Sequence, residues 1–344
     1  MIRRRLWVFL VAAPLFAAFL VGIKVFYSMR IWTYNGPVAE FRISPGETFA
    51  NINHKLASKG IISSPRIFHR YCQFSDILTK FKAGRYLIKP GFNMFDVVDS
   101  LVYGTPLGIE LTIPEGKNIF EIGKILKNKG IVDHQEFVRL AKSSRMTSIF
   151  KIPNDRMEGY LYPDTYRFDK NTPAKKIIEA MVHVFNERIK KVDFSSSFLN
   201  KHQVIILASI VEKETGAKWE RPIIAGVFHN RLKKGMRLQS DPTTIYGIFE
   251  NFNGNLRKRH LLQKTPYNTY KIKGLPHGPI SNPGLASINA VLNPKRHNYL
   301  YFVSKNDGTH VFTPTYKEHL KAVEEHQKKR KNRLGKSWRD LKQN

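Results

Sequence analysis

The stretch Ile43-Ser44-Pro45-Gly46-Glu47-Thr48-Phe49 returns seventy positions later as Ile113-Pro114-Glu115-Gly116-Lys117-Asn118-Ile119. The register then holds without a gap. Ile52 and Leu56 answer to Ile122 and Leu126, and Lys59-Gly60-Ile61-Ile62 answers to Lys129-Gly130-Ile131-Val132. A third, partial copy, Ile88-Lys89-Pro90-Gly91 followed by Val97 and Leu101, lies between them. Each copy opens on a short β-prone run, turns at Pro and Gly, continues with apolar residues three and four apart, and stops at a Gly. That order predicts strand, turn and amphipathic helix, so residues 42–150 read as small α+β modules.

On the N-terminal side, Arg3-Arg4-Arg5 precedes an uncharged apolar run from Leu6 to Ile23. About 18 residues is near the lower limit for crossing a bilayer. Lys24 can snorkel while Val25, Phe26 and Tyr27 extend the run toward an aromatic belt. The run is longer than the apolar region of a usual signal peptide, and no small-residue cleavage site precedes a polar stretch. The expectation is therefore a short cytoplasmic N-terminus (1–5), an uncleaved transmembrane helix (6–27) and a linker (28–41). The triple arginine favours an N-terminus inside, with the remainder across the membrane.

The 344 residues allow two or three packed units, and a hydrophobic fraction of 42% excludes a disordered chain. A net charge of +30 predicts an anionic partner without choosing it. The cations are dispersed, whereas a DNA reader concentrates Lys and Arg on a recognisable element, so nucleic acid is not the expected partner. Phospholipid headgroups or an acidic polymer fit better. The lone cysteine, Cys72, reads as a small buried apolar residue.

On the C-terminal side the composition changes at Asp155, where Glu158-Gly-Tyr-Leu-Tyr162-Pro-Asp164-Thr-Tyr-Arg167 interleaves aromatics with carboxylates. A helix is expected over 174–190, then a polar Ser195-Ser196-Ser197 link. Residues 151–325 are expected to form a mixed α+β domain, the candidate catalytic one, and 326–344 a basic tail whose Lys328-to-Arg333 run reads as a solvated helix end.

The run Val204-Ile-Ile-Leu-Ala-Ser-Ile-Val211 predicts a buried helix that delivers Glu212 and Glu214 at its end. A carboxyl against apolar surroundings loses hydration, its pKa rises, and it can act as a general acid near neutral pH. The two glutamates lie about 200° apart on a helical wheel. Both stripes are apolar, so periodicity does not choose between them, and pairing of either with Lys213, Lys218 or Arg221 stays open. Downstream, Asn230, Arg231, Gln239, Asp241, Tyr246, Tyr267, Asn268 and Tyr270 stand beside Gly and Pro turns. With Glu158 and Tyr162 they suit a sugar-binding groove, because rings stack on sugar faces and amides match hydroxyl and acetamido groups. The twelve histidines show no metal-ligand spacing, and no phosphate-binding glycine loop or G-x-S-x-G elbow occurs, so no cofactor is expected.

Taken in order, Leu207-Ala-Ser-Ile-Val-Glu212-Lys-Glu-Thr215, Phe228-His-Asn-Arg-Leu232, Met236-Arg-Leu-Gln-Ser-Asp-Pro-Thr243, Tyr267-Asn-Thr-Tyr270 and Gly274-Leu-Pro276 resemble the endolytic murein transglycosylase, or YceG-like, family. Glu158-Gly-Tyr-Leu-Tyr-Pro-Asp-Thr-Tyr166 supports the resemblance, which covers nearly the whole chain after the N-terminal helix. It implies that Glu212 is catalytic. It also implies non-hydrolytic cleavage of nascent peptidoglycan between N-acetylmuramic acid and N-acetylglucosamine, leaving a 1,6-anhydro end. The turn-plus-helix repeats loosely resemble LysM modules. The implied setting is the bacterial inner (cytoplasmic) membrane, single-pass, with the catalytic part on the periplasmic or outer side, and peptidoglycan synthases as partners. A non-catalytic peptidoglycan-binding envelope protein and a hydrolytic muramidase are the alternatives.

Overall fold

The computed structural model describes residues 2–44 and 46–328. Of the tail read at 326–344, residues 329–344 lie outside the described residues. The chain divides into two compact units, Met1–Ile109 and Glu110–Asn344.

The first unit begins with helix α1 (Ile2–Phe26), continued by a π-helical turn to Ile31. Its stretch Ala12–Ile31 is long and apolar enough to cross a membrane. Leu15, Phe16, Phe19, Val21 and Phe26 are exposed, so this is not the core helix of a soluble domain. A membrane anchor and a signal sequence both fit such a helix. Residues 28–41, expected as a linker, are built into the unit: Ser28 bonds Ser63, Tyr34 exchanges backbone bonds with Phe92 and Gly91, and Met29 and Trp32 pack on the core.

The repeats are three-dimensional. Copy one gives β1 (Ala39–Ile43), α2 (Phe49–Ser58) and α3 (Pro65–Phe74). The partial copy gives β2 (Gly84–Ile88) and α4 (Met94–Val98). β2 pairs antiparallel with β1, from Ala39↔Ile88 to Ile43↔Gly84. The partial copy thus supplies the strand that completes the sheet of copy one, around a core of Phe41, Ile52, Leu56, Ile88, Val97 and Leu101. Cys72 is buried in that core.

The second unit opens with copy two: β3 (Ile109–Thr112), α5 (Ile119–Asn128) and α6 (His134–Ala141). Thr48 and Asn118 cap α2 and α5 at equivalent positions, each accepting a backbone N–H in the first turn. Gly60 and Gly130 follow both helices at φ of 63° and 65°, a left-handed conformation that glycine takes without strain. Beyond this point the register slips by one residue, since buried Phe68 and Cys72 of α3 answer to buried Phe137 and Ala141 of α6. Because Leu56 and Leu126 are both fully buried, Leu56→Ala and Leu126→Ala are each expected to cost about 2–5 kcal/mol, measurable by denaturant unfolding.

Copy two finds its sheet partner further on. β3 pairs with β4 (Thr165–Phe168), with Thr112 bonded to Thr165 and Glu110 paired with Arg167. After a short α7 (Ser144–Ile149) and β4 come α8 (Ala174–Ile189), α9 (Lys201–Glu214) and α10 (Arg221–Lys233). The chain closes with α11 (Asp241–Gly247), α12 (Lys258–Leu262), α13 (Leu285–Leu292), the hairpin β5 (Tyr301–Ser304) and β6 (His310–Thr313), and α14 (Tyr316–Val323). Helix α9 is the hub of this unit. It is buried on every side from Val204 to Val211 because α10, α11 and α13 pack around it. Asn200 caps its start in a reciprocal pair with Gln203.

Candidate active site

Helix α9 ends at Glu214, and the chain reverses through Thr215–Ala217 before α10 begins at Arg221. The reversal brings Arg221 back onto Glu212. Arg221 Nη2 donates to Glu212 Oε1 at 2.6 Å, and the Gly284 N–H donates to Oε2 at 3.1 Å. The Glu212 side chain is 4% exposed and that of Arg221 7%. Arg221 Nη2 also lies 3.5 Å from Oε2 of Glu115, which is 42% exposed. Glu115 and Gly116 belong to the Pro-Glu-Gly turn of repeat copy two. Gly116, at φ 77°, lies flat against the Glu212 side chain, and a Cβ there would stand 3.3 Å from Glu212 Cγ. A Cβ at Gly284 would meet the Glu115 carboxylate, which would have to swing aside.

The expected apolar wall around Glu212 is therefore replaced by a guanidinium and a peptide N–H. The reason is the tight reversal after α9, which helical periodicity does not encode. The desolvated carboxyl is instead Glu214, which turns to the other side, accepts a hydrogen bond from Ser240 Oγ, and is pushed up to about 7 by burial. The neighbouring charge of Asp241 raises it further, while Ser240 and Arg231 oppose the shift.

Glu158 is fully buried and accepts three hydrogen bonds: from Ile119 N at 3.1 Å, Tyr246 Oη at 2.8 Å and Asn282 Nδ2 at 2.8 Å. Burial outweighs those donors and pushes its carboxyl up to about 8. Asn282 has the rest of its amide filled. Its Oδ1 accepts from Gly159 and Leu161 N, and its Nδ2 also reaches Lys117 O. Ser209, inside α9, accepts from Ile280 N through Oγ and from Ser281 Oγ through its carbonyl. These bonds fix the 279–284 loop, and with it the Gly284 N–H that holds Glu212.

The remaining residues read as a groove divide into two sets. Asn230 donates to the carbonyls of His297 and Tyr299, Arg231 to those of Leu300 and Leu238, and Asn268 to those of His260, Leu261 and Gln263. Tyr246 is committed to Glu158, Tyr267 packs edge-on against it at 4.7 Å, and Tyr162 lies buried under Arg188. These side chains hold the fold from within. Gln239 and Asp241 are exposed, and Tyr270 is half-buried beside Asp241. Gln239 sits at a strained φ of 51°, and Tyr270 Oη donates to Asp241 at 2.7 Å. Sequence reasoning passed over Glu115, Ser240, Asn282 and Gly284, although Glu115 and Ser240 stand inside quoted stretches, and it weighed Arg221 only as a countercharge.

With this geometry in place, comparison with known proteins gives one consistent result. The model of the YceG-like family matches residues 41–325. An endolytic murein transglycosylase of Bacillus subtilis is 34% identical over 302 residues, covering 83% of each chain. One of Streptococcus pneumoniae is 27% identical over 322 residues; the match covers 83% of this chain and 57% of that longer protein. A crystal structure of a YceG-like protein from Listeria monocytogenes aligns with a TM-score of 0.57 at 31% identity, over 83% of this chain and 98% of that one.

Proposed function

The chain belongs to the YceG-like family, and from that premise we propose that it is an endolytic lytic transglycosylase with Glu212 as its catalytic residue. Glu212 protonates the glycosidic oxygen that leaves C1 of N-acetylmuramic acid. As carboxylate it then takes the proton of the C6 hydroxyl while that oxygen attacks C1. The bond to the departing sugar breaks, the C6–O–C1 bond forms, and no water is consumed. A second carboxylate on the opposite face of the sugar is not needed, unlike in an inverting hydrolase.

The observation that carries this reading is the position of Glu212: a buried carboxyl at a helix end, bounded by two glycine-bearing turns and held through both oxygens. To act as an acid it must carry a proton, so the guanidinium has to release Oε1. Glu115 offers Arg221 another anionic partner 3.5 Å away, and Arg221 Nε and Nη1 are buried without a partner. A strand that displaces Arg221 toward Glu115 frees the Glu212 carboxyl. Gln239, Asp241 and Tyr270 are the proposed strand contacts on the far side of the α9 end.

The same Glu115 supports a second reading, a hydrolytic muramidase in which it activates water. Mass spectrometry of digested peptidoglycan separates the two. Transglycosylation leaves 1,6-anhydro ends that lack one water relative to the reducing ends of hydrolysis. The α1 segment is proposed as a single-pass anchor in the cytoplasmic membrane, with the enzyme on its outer side among newly made strands. The strand-turn-helix repeats are proposed as LysM-like supports for glycan, and peptidoglycan synthases as neighbours.

A further inference from the structure

Beside the Glu212–Arg221 pair lies a second buried carboxylate that the mechanism leaves unused. Glu220 is fully buried and immediately precedes Arg221. Its Oε2 accepts from Thr215 Oγ1 at 3.2 Å and from the His310 ring Nδ1 at 2.7 Å, while its Oε1 accepts from the His310 backbone N–H at 2.8 Å. Thr215 Oγ1 in turn accepts from Ala217 N at 3.0 Å. The bonds run from Thr215, the residue that follows the catalytic helix, through the reversal, to the first residue of β6. A carboxyl group out of water is tolerated when it is hydrogen-bonded, and three bonds reach this one. The turn that they tie is the one that sets where Arg221 meets Glu212.

We infer that Glu220, clamped by Thr215 and His310, is a positioning residue for glycan cleavage that acts by fixing the backbone of Arg221, so that its guanidinium can pass between Glu212 and Glu115. The inference rests on the assignment of Glu212 as the catalytic acid. The β5–β6 hairpin thereby has a role in the chemistry, although neither strand touches Glu212 in the contacts described.

The geometry makes the side-chain requirement specific. The carboxylate needs a donor at the position of the His310 Nδ1. Asparagine places its amide nitrogen near that position, whereas glutamine reaches toward the position of Nε2. The test uses the whole chain in detergent, soluble uncross-linked glycan strands, and anhydro-end production as the readout. His310→Gln is expected to lower kcat about tenfold with KM within about twofold, and His310→Asn to recover to within about twofold of the parent. Thr215→Val, nearly isosteric and lacking one hydroxyl bond, is expected to lower kcat about threefold. Either clamp variant combined with Arg221→Lys is expected to be no slower than Arg221→Lys alone, because the clamp acts through that guanidinium.

Three results would each overturn the clamp while leaving the transglycosylase intact. These are a His310→Gln enzyme as fast as the parent, a His310→Asn enzyme no better than His310→Gln, or equal loss in the presence and absence of Arg221→Lys. Thr215→Val decides the same question if His310→Gln does not fold. A parent chain that yields no anhydro ends would remove the functional reading, and the clamp with it.

Discussion

Glu212→Gln is expected to slow release of anhydro ends by about 10²–10⁴, the usual contribution of a positioned general acid. Glutamine keeps the volume and one acceptor, so either Arg221 Nη2 or the Gly284 N–H retains its partner. The other donor then faces an NH₂ group, at a cost of about 1–3 kcal/mol. That cost is small enough for the second unit to stay folded, which circular dichroism and the melting transition verify. Glu214→Gln is the contrasting variant. The amide can accept from Ser240 as the carboxyl does, the site titrates differently, and cleavage persists within about tenfold. If Glu214→Gln were dead and Glu212→Gln active, the assignment would be reversed. Such a result has a physical basis, because Glu214 is the carboxyl that burial lifts to about 7, where a general acid is best poised. The variants therefore weigh two arguments: the match to the family at Glu212, and the desolvation of Glu214.

The contrast also shows what a sequence can carry. The repeat was legible because equal spacing survives folding. Ile52 and Ile122, Leu56 and Leu126, and Gly60 and Gly130 occupy matching places in the two copies. Helices α8 and α9 were legible through uninterrupted apolar patterning. The partners of Glu212 were not. Arg221 returns to it through a reversal with no periodicity, and Gly284 comes from 72 residues away. The polar residues of the Gly- and Pro-bearing turns misled for a related reason. Asn230, Arg231 and Asn268 look like donors for a sugar, yet a region with so few strands must satisfy its buried carbonyls with side chains. In one dimension, an amide that binds a ligand and an amide that closes a loop are the same letter. The partner separates them: Asn230, Arg231 and Asn268 donate to backbone carbonyls, whereas Gln239 and Asp241 are exposed and half-buried Tyr270 bonds Asp241.

Glu158→Ala is expected to destabilise the second unit by about 3–5 kcal/mol, the largest stability effect of any polar change proposed here, read from denaturant unfolding near pH 6. It leaves the Ile119 N–H, the Tyr246 hydroxyl and the Asn282 amide without their acceptor in a site closed to water. Asn282 cannot rotate to compensate, because its Oδ1 already accepts from Gly159 and Leu161. The pH dependence follows from the same burial. The Glu158 carboxyl is raised from 4.5 to about 8 in the folded chain, so between those values the native state holds a proton that the unfolded state has released. Its contribution is fully present below about pH 4.5 and fades as pH rises through 8, by at most about 1.4 kcal/mol per pH unit. Glu214 adds a loss of the same sign ending near pH 7. The parent chain should therefore lose stability from pH 5 to pH 8.5, and Glu158→Gln, which cannot titrate, should lose less over the same range. Identical slopes would mean that Glu158 is ionised throughout, with its three donors outweighing burial. Glu158 would then be an anionic pin holding the Asn282 turn, and through it the Gly284 N–H, against Glu212.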